Sequence, residues 1–292
     1  MAIQPQCGTL SSDKFVNFNT GVQLDQIKTI YSFGDSWTAT GNSKGGRPKR
    51  AVPKGSDPKY GGRASNGPMW TEDLATDERK LKSYAVGGAT VDRTLWSARA
   101  QNTDMVSHVD TFINQDSSVE TESSLATIFY GINDYSASKA GPGTLDQDVK
   151  QLLNQTNRLI NAGLKKFIVV SPPFKRDKLD KFDSSVWNGF KKLKESKSIE
   201  FAYVDLGALF AAIQDNPSSF GYKSLESCLK STKTTEGGCQ DPDEYLYWIP
   251  SHPQYQTHRL ISEWVQAVLK KCGPSSSSSR FSETRTLKAD QS

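Results

Sequence analysis

Four short stretches of this chain carry residue types that can break an ester bond when brought together. Phe33-Gly34-Asp35-Ser36-Trp37 holds a serine in a tight turn, where a hydroxyl stands clear of its strand and can act as a nucleophile. Gly87-Gly88-Ala89-Thr90 supplies backbone N–H groups, and the missing side chain at Gly88 lets a reacting carbonyl come close to them. Gly131-Ile132-Asn133-Asp134 offers an amide donor that does not titrate. Trp248-Ile249-Pro250-Ser251-His252-Pro253 contains a histidine that can take a hydroxyl proton and return it to a leaving alcohol. The chemistry this set allows is acyl transfer. Ser36 is the nucleophile and His252 the base, and the Ser36 and Gly88 N–H groups with the Asn133 amide hold the oxyanion.

The elements that must position these residues are those of an α/β sheet. Short apolar runs at 26–33, 81–86, 124–130, 167–170 and 201–204 end in Gly, Asp or Ser-Pro-Pro, and read as buried strands. Leu145, Val149, Leu152, Leu153, Thr156, Leu159 and Ile160 follow the helical period, with Gly163 as the stop. Leu260, Ile261, Trp264, Val265, Val268 and Leu269 give a terminal amphipathic helix. Strands separated by helices imply right-handed crossovers and a parallel sheet covered on both faces. Ligands gather at the carboxyl ends of such strands, where three of the four stretches begin. There is no internal repeat. One compact domain is expected over 20–272, between an N-terminal arm (1–19) and a serine-rich tail (273–292) with too little apolar surface to fold.

GDS at 34–36, the glycine at 88, GIND at 131–134 and His252 resemble, in order, the four blocks of the GDSL-type, or SGNH, hydrolase family. The resemblance covers nearly the whole domain. FGDSWTATG, SNGPMW and YAVGGATV are most similar to fungal secreted members, including carbohydrate acetylesterases. It implies a single flavodoxin-like, three-layer α/β/α sandwich with a mainly parallel five-stranded sheet. It also implies ester hydrolysis through an acyl-serine, with no cofactor and no metal. The expected substrate is a short acyl ester, foremost acetyl, on a small molecule or oligosaccharide. A lipid or phospholipid acylhydrolase on the same fold is the first alternative.

One departure from the family pattern opens a second alternative. The family usually has Asp three residues before its histidine, and this chain has Ile249. Losing that acid without a substitute can cost about 10⁴-fold in turnover. Three arrangements are open: a backbone carbonyl that fixes His252 in a Ser-His dyad, a substitute acid from Asp241, Asp243 or Glu244, or a catalytically weak carbohydrate-binding protein.

Other residues compete for these roles on paper. Gly41-Asn42-Ser43-Lys44-Gly45 matches the G-x-S-x-G elbow, yet neither a strand before it nor a helix after it is expected, so Ser43 is not the expected nucleophile. His108, in the helical pattern DMVSHVDTFI, is expected to be structural, and His258 to lie at the surface or pack at a helix end. Asp35 and Asp134 read as turn carboxylates that hold backbone N–H groups. Trp37, Tyr60, Trp70, Tyr135, Trp187 and Trp248 are open to sugar stacking or core packing alike.

Composition sets the wider bounds. Lys+Arg 36 against Asp+Glu 32 leaves +4 over 292 residues, too mild to call for nucleic acid. No apolar run approaches the ~20 residues that span a bilayer, so no integral membrane association is expected. Hydrophobic content of 35% excludes wholesale disorder, and a mean hydropathy of −0.58 suits polar ligands. The loop cations Lys44, Arg47, Lys49, Arg50 and Lys54 read as a solvated basic loop. Cys228 and Cys239 flank a polar, Gly-containing loop and favour a local bridge, which leaves Cys7 and Cys272 to tie the ends together. Disulfides favour a secreted protein, the Asn154 sequon is compatible with one, and a monomer is expected. The start, MAIQPQCGTLSS, shows no signal peptide and reads as a mature form behind an added Met.

Overall fold

The computed structural model describes residues 1–76, 78–115, 118–139 and 143–274. The tail expected to be disordered therefore lies, from 275 on, outside the described residues. Strands β1 (Phe18–Asn19), β2 (Thr29–Gly34), β3 (Lys80–Ser83), β4 (Ser124–Phe129), β5 (Lys166–Val170) and β6 (Glu200–Val204) form one sheet in the order β1-β6-β5-β4-β2-β3. The five predicted strands, β2 to β6, are parallel to one another. Around them run helices α1 (Trp70–Ala75), α2 (Met105–Ile113), α3 (Ile132–Ala137), α4 (Leu145–Asn161), α5 (Asp177–Lys197), α6 (Leu206–Asp215) and α7 (Tyr255–Lys271).

Alternation along the strands builds the layers, because successive side chains point to opposite faces of a sheet. Ile30, Leu125, Phe129, Ile168 and Val204 pack with Trp70 of α1, Phe210 of α6 and Trp264 of α7. Tyr31, Phe33, Ile128, Phe167 and Tyr203 pack with Phe112 of α2, Leu159 of α4 and Trp187 of α5. The result is a three-layer α/β/α sandwich, with β4 buried along its whole length. Each large apolar side chain buried here contributes about 1.5–3 kcal/mol. Local chemistry sets the helix starts. Thr144 and Gln147 form a reciprocal capping box at α4, and the Asp104 carboxylate accepts the Ser107 N–H at α2.

Two features add to the expected plan. The stretch read as an arm (1–19) is packed onto the sheet. Phe18 lies opposite Tyr203 in an antiparallel pair, its ring meets Trp187 edge-on, and the buried Asn19 amide donates to the Leu269 carbonyl at 2.8 Å. Phe15, Val16 and Phe18 supply the apolar surface that holds it there. The second feature is a small sheet of β7 (Ser224–Ser227), β8 (Tyr245–Ile249) and β9 (His252–Pro253). Both expected disulfides are present, Cys7–Cys272 and Cys228–Cys239, and their pairing points to an oxidising compartment. Asn154 is exposed on α4 and donates to Gln151 at 3.0 Å. Among the described residues no helix is long and apolar enough to cross a membrane.

Candidate active site

Ser36 stands in the turn that leaves β2, between β4 and the edge strand β3. The chain reverses tightly here because Gly34 has no side chain. A Cβ at that position would stand 2.8 Å from the Thr38 hydroxyl and 3.0 Å from the Phe129 carbonyl. The turn is closed by the Asp35 carbonyl, which accepts the Thr38 and Ala39 N–H groups at 3.0 Å, and by the Asp35 carboxylate, which accepts the Trp37 N–H at 2.9 Å. Asp35 is fully buried, and burial pushes its carboxyl up to about 7. It acts as the turn carboxylate that the sequence suggests.

His252 reaches Ser36 from the far end of the chain. Its Nε2 lies 2.9 Å from Ser36 Oγ, and its Nδ1 lies 2.9 Å from the Pro250 carbonyl oxygen. A carbonyl can only accept, so the ring proton sits on Nδ1 and Nε2 is left to accept the serine proton. Both nitrogens are thereby engaged, and none of the three candidate substitute acids is a partner of either. Glu244 pairs with Lys223 at 2.6 Å, Asp243 accepts from Gln256 at 3.5 Å, and the Asp241 carbonyl accepts the Glu244 N–H. In this geometry the Pro250 backbone carbonyl, and none of these three acids, faces Nδ1.

The hairpin between β8 and β9 delivers this carbonyl. Ile249 and His252 are paired across it, with Pro250 and Ser251 in the turn. Proline at the first turn position followed by a positive φ is the type II combination, and Ser251 holds φ 64° without the ease of glycine. Trp37, next to the nucleophile and 1% exposed, donates its indole N–H to the Ser251 carbonyl at 3.1 Å. Behind the turn, Ile249 and Trp248 pack with Leu229, Ala64 and Cys228, and the Trp248 indole donates to the Pro58 carbonyl at 2.7 Å. Burial holds the His252 imidazole below its ordinary value, the Pro250 bond opposes this, and the Lys59 charge adds to it.

The remaining donors lie on two neighbouring turns. A Cβ at Gly87 would stand 3.7 Å from Ser36 Cβ, so the Gly87-Gly88 turn abuts the nucleophile. Gly88 has φ +80°, and a side chain there would come within 2.9 Å of Asn102, whose amide donates to the Gly88 carbonyl at 3.1 Å. Neither the Ser36 nor the Gly88 N–H donates to a protein acceptor among the described residues. Asn133, at the start of α3, donates to the Ala89 carbonyl at 2.9 Å and to the Asp35 carboxylate at 3.2 Å. Both of its amide protons are thus in use, and the longer bond is the one an oxyanion would replace. Asp134 accepts the Val91 N–H at 2.8 Å. Burial raises its carboxyl and that of Asp148, which share a buried contact.

Other predicted residues fall outside the cleft. Ser43 lies in an irregular loop with no strand before it or helix after it. His108 is buried against the Tyr130 hydroxyl at 2.7 Å, and burial lowers it to about 4. His258 takes the second of its two expected placements, packing at a helix end, in the first turn of α7. It is 0% exposed within α7, with neither ring nitrogen partnered among the described residues, and burial lowers it to about 3. Of the six aromatics, Trp37 and Tyr135 line the cleft. Trp70 and Trp187 are core, while Trp248 and Tyr60 pack against each other. The cleft, of about 420 Å³, also takes in Phe174, Arg99, Lys139 and Arg176, none of which the sequence singled out. Among the described residues no cluster of His, Cys, Asp or Glu is placed to hold a metal ion.

A three-layer sandwich with a serine turn at the end of its second strand is the frame of a hydrolase. Residues 30–265 match the family described as GDSL-like Lipase/Acylhydrolase, and the chain belongs to that family. The thermolabile hemolysin of Vibrio parahaemolyticus is 25% identical over 275 residues, covering 84% of this chain and 64% of the hemolysin. The phosphatidylcholine-sterol acyltransferase of Aeromonas hydrophila is 31% identical over 156 residues, covering 49% of this chain and 44% of that protein. The chain thus spans less than two thirds of either relative. Among solved structures, a lipolytic G-D-S-L protein from Veillonella parvula aligns with 84% of this chain and 99% of its own, at TM-score 0.46 and 16% identity. The esterase EstA from Pseudoalteromonas sp. aligns with 84% and 97%, at TM-score 0.42 and 14% identity.

Proposed function

We propose that this chain is a secreted serine esterase that removes short acyl groups, foremost acetyl, from a polar or carbohydrate alcohol through a Ser36–His252 dyad. The observation that carries it is the pair of bonds at His252, with Nε2 on Ser36 Oγ and Nδ1 on the Pro250 carbonyl. Ser36 Oγ attacks the ester carbonyl while Nε2 takes its proton, and the imidazolium is steadied at Nδ1 by the carbonyl it already faces. The Ser36 and Gly88 N–H groups receive the oxyanion, and Asn133 joins them by giving up its longer bond to Asp35. Collapse expels the alcohol with the His252 proton and leaves an acyl-serine. Water, deprotonated by His252, then releases the acid and restores Ser36. A cleft of about 420 Å³ supports a small ester, and two disulfides support secretion.

The relatives' names favour a second reading, an acylhydrolase or acyltransferase on long-chain lipid esters. Hydrolysis of p-nitrophenyl acetate, butyrate and palmitate beside Ser36→Ala separates the readings. We expect acetate or butyrate to lead, with at least ~10³-fold loss in Ser36→Ala. A palmitate maximum shifts the choice to the lipid reading. Equal activity in both proteins ends the serine mechanism, and no turnover in either returns the chain to a binding role.

A further inference from the structure

The cleft over Ser36 and His252 is lined by three cations and no carboxylate. Arg99 comes from the turn that follows the Gly88 loop, Lys139 from just beyond α3, and Arg176 from the start of α5. Among the described residues none of them forms an ion pair. The Arg176 guanidinium donates only to the Lys175 carbonyl, at 2.9 Å, and the Lys139 ammonium sits 4.6 Å over the Tyr135 ring. Asp205 is held by both of its oxygens on Lys175, the residue before Arg176, at 2.8 Å. A lone unpaired cation is ordinarily a solvated surface group. Three of them, brought from separate elements to one concavity, leave an uncompensated positive field where the substrate must sit. Low-dielectric walls focus such a field on an incoming ligand. Arginine forks grip phosphate and carboxylate oxygens in pairs, and a lysine supplies a compact charge beside them.

We propose that this cleft selects esters bearing an anionic group, a phosphate or a carboxylate, within a few bonds of the scissile carbonyl, and that Arg99, Lys139 and Arg176 read that charge. The inference rests on the serine-esterase reading of the same cleft and names its substrate class. The anionic group is bound and left unchanged, and the bond broken is still the acyl–oxygen bond at Ser36.

Matched esters test it. On the alcohol side the pair is 1-acetylglycerol and 1-acetylglycerol 3-phosphate. On the acyl side it is p-nitrophenyl acetate and p-nitrophenyl hemisuccinate. In at least one pair the anionic member is expected to show about tenfold higher kcat/KM, chiefly through KM, and to lose most of that advantage between ~0.05 and ~0.5 M NaCl. The pair that responds tells which side of the ester carries the charge. Arg99→Gln, Lys139→Gln and Arg176→Gln should each cut kcat/KM for the anionic member about three- to tenfold more than for its neutral partner. Neutral members equal or better in both pairs, or variants that depress both members alike, overturn the proposal. Binding of glycerol 3-phosphate to Ser36→Ala, followed by calorimetry, separates the two readings. Salt-sensitive binding without hydrolysis of any ester by the wild-type protein sinks the dyad alone. Hydrolysis that depends on Ser36 but is indifferent to charge sinks the cation reading alone.

Discussion

Ile249→Asp places a carboxylate three residues before His252, where the family resemblance expects one. Ile249 is 1% exposed and packs with Ala64, Leu229, Trp248 and Cys228. Removing its apolar side chain from that cluster costs about 1.5–3 kcal/mol. A carboxylate left among apolar groups adds several kcal/mol more, or stays protonated. A total near 4 kcal/mol is a large share of the ~5–15 kcal/mol that holds a domain folded. It corresponds to a fall of about 8–16 °C in Tm for a domain of this size. Nothing is gained in return, because the Nδ1 proton already rests on the Pro250 carbonyl at 2.9 Å. The new acid would have to displace a bond that the hairpin builds into its own turn. Thermal melts and initial rates on p-nitrophenyl acetate, taken well below the melt, read both effects. The expected outcome is a lower Tm with turnover unchanged or reduced. A variant that stays folded and turns over tenfold faster or more would refute the argument that a backbone carbonyl orients His252 adequately.

Trp37→Phe keeps the ring but removes the donor that holds the Ser251 carbonyl. One neutral hydrogen bond is worth about 1 kcal/mol, so kcat should fall about fivefold with KM little changed. A change in KM alone contradicts the positioning role. Because burial lowers His252 and only its neutral form accepts the Ser36 proton, the acid limb of kcat/KM should lie below pH 6.5. A limb above that value contradicts the assignment. His258 takes up a proton near 6.5 when unfolded but only near 3 when folded, so its contribution to stability is lost as pH falls from 6.5 towards 3. His258→Leu should therefore lose less stability than the wild-type protein between pH ~7 and ~4.5 in urea titrations, and an equal loss in both refutes this. Replacing Cys228 and Cys239 by serine opens a loop of sequence separation 11 and should cost about 3 kcal/mol. Turnover should fall with it, since the same cluster backs the His252 hairpin.

The five parallel strands were legible because buried strands are short, apolar-rich runs closed by turn residues, and the five runs end in Gly, Asp or Ser-Pro-Pro. Strand β1 was not, since two residues carry no period. Helix α5 was masked by the charged residues that crowd its exposed face, such as Lys181, Lys192 and Lys194. Ser36, Gly88, Asn133 and His252 could be picked out because residue type and position at a strand end limit what each can do. The Pro250 carbonyl could not, because every residue owns a carbonyl and only a fold says where it points. Asp241, Asp243 and Glu244 were candidates through nearness in sequence, a poor guide across a hairpin that turns them toward Lys223 and Gln256. His258 left a signal that helical phase could have caught. It stands three and seven residues before the buried Ile261 and Val265, on the stripe that faces the core. Arg99, Lys139 and Arg176 are too far apart in the chain to suggest a cluster before the strand ends bring them together.

The Cys7–Cys272 bridge sets how this fold answers mechanical tension. It joins positions 265 residues apart, beside the edge strand β1 and the end of α7. A pull on chain beyond these two cysteines travels through the covalent bond, and the sheet and the His252 hairpin carry none of it. Reduction reroutes the same load into β1, which meets β6 over only two residue pairs and can peel from the sheet edge one bond at a time. Oxidised, the molecule can be tethered or dragged by its flanking chain while the 2.9 Å contact between Ser36 and His252 stays unloaded.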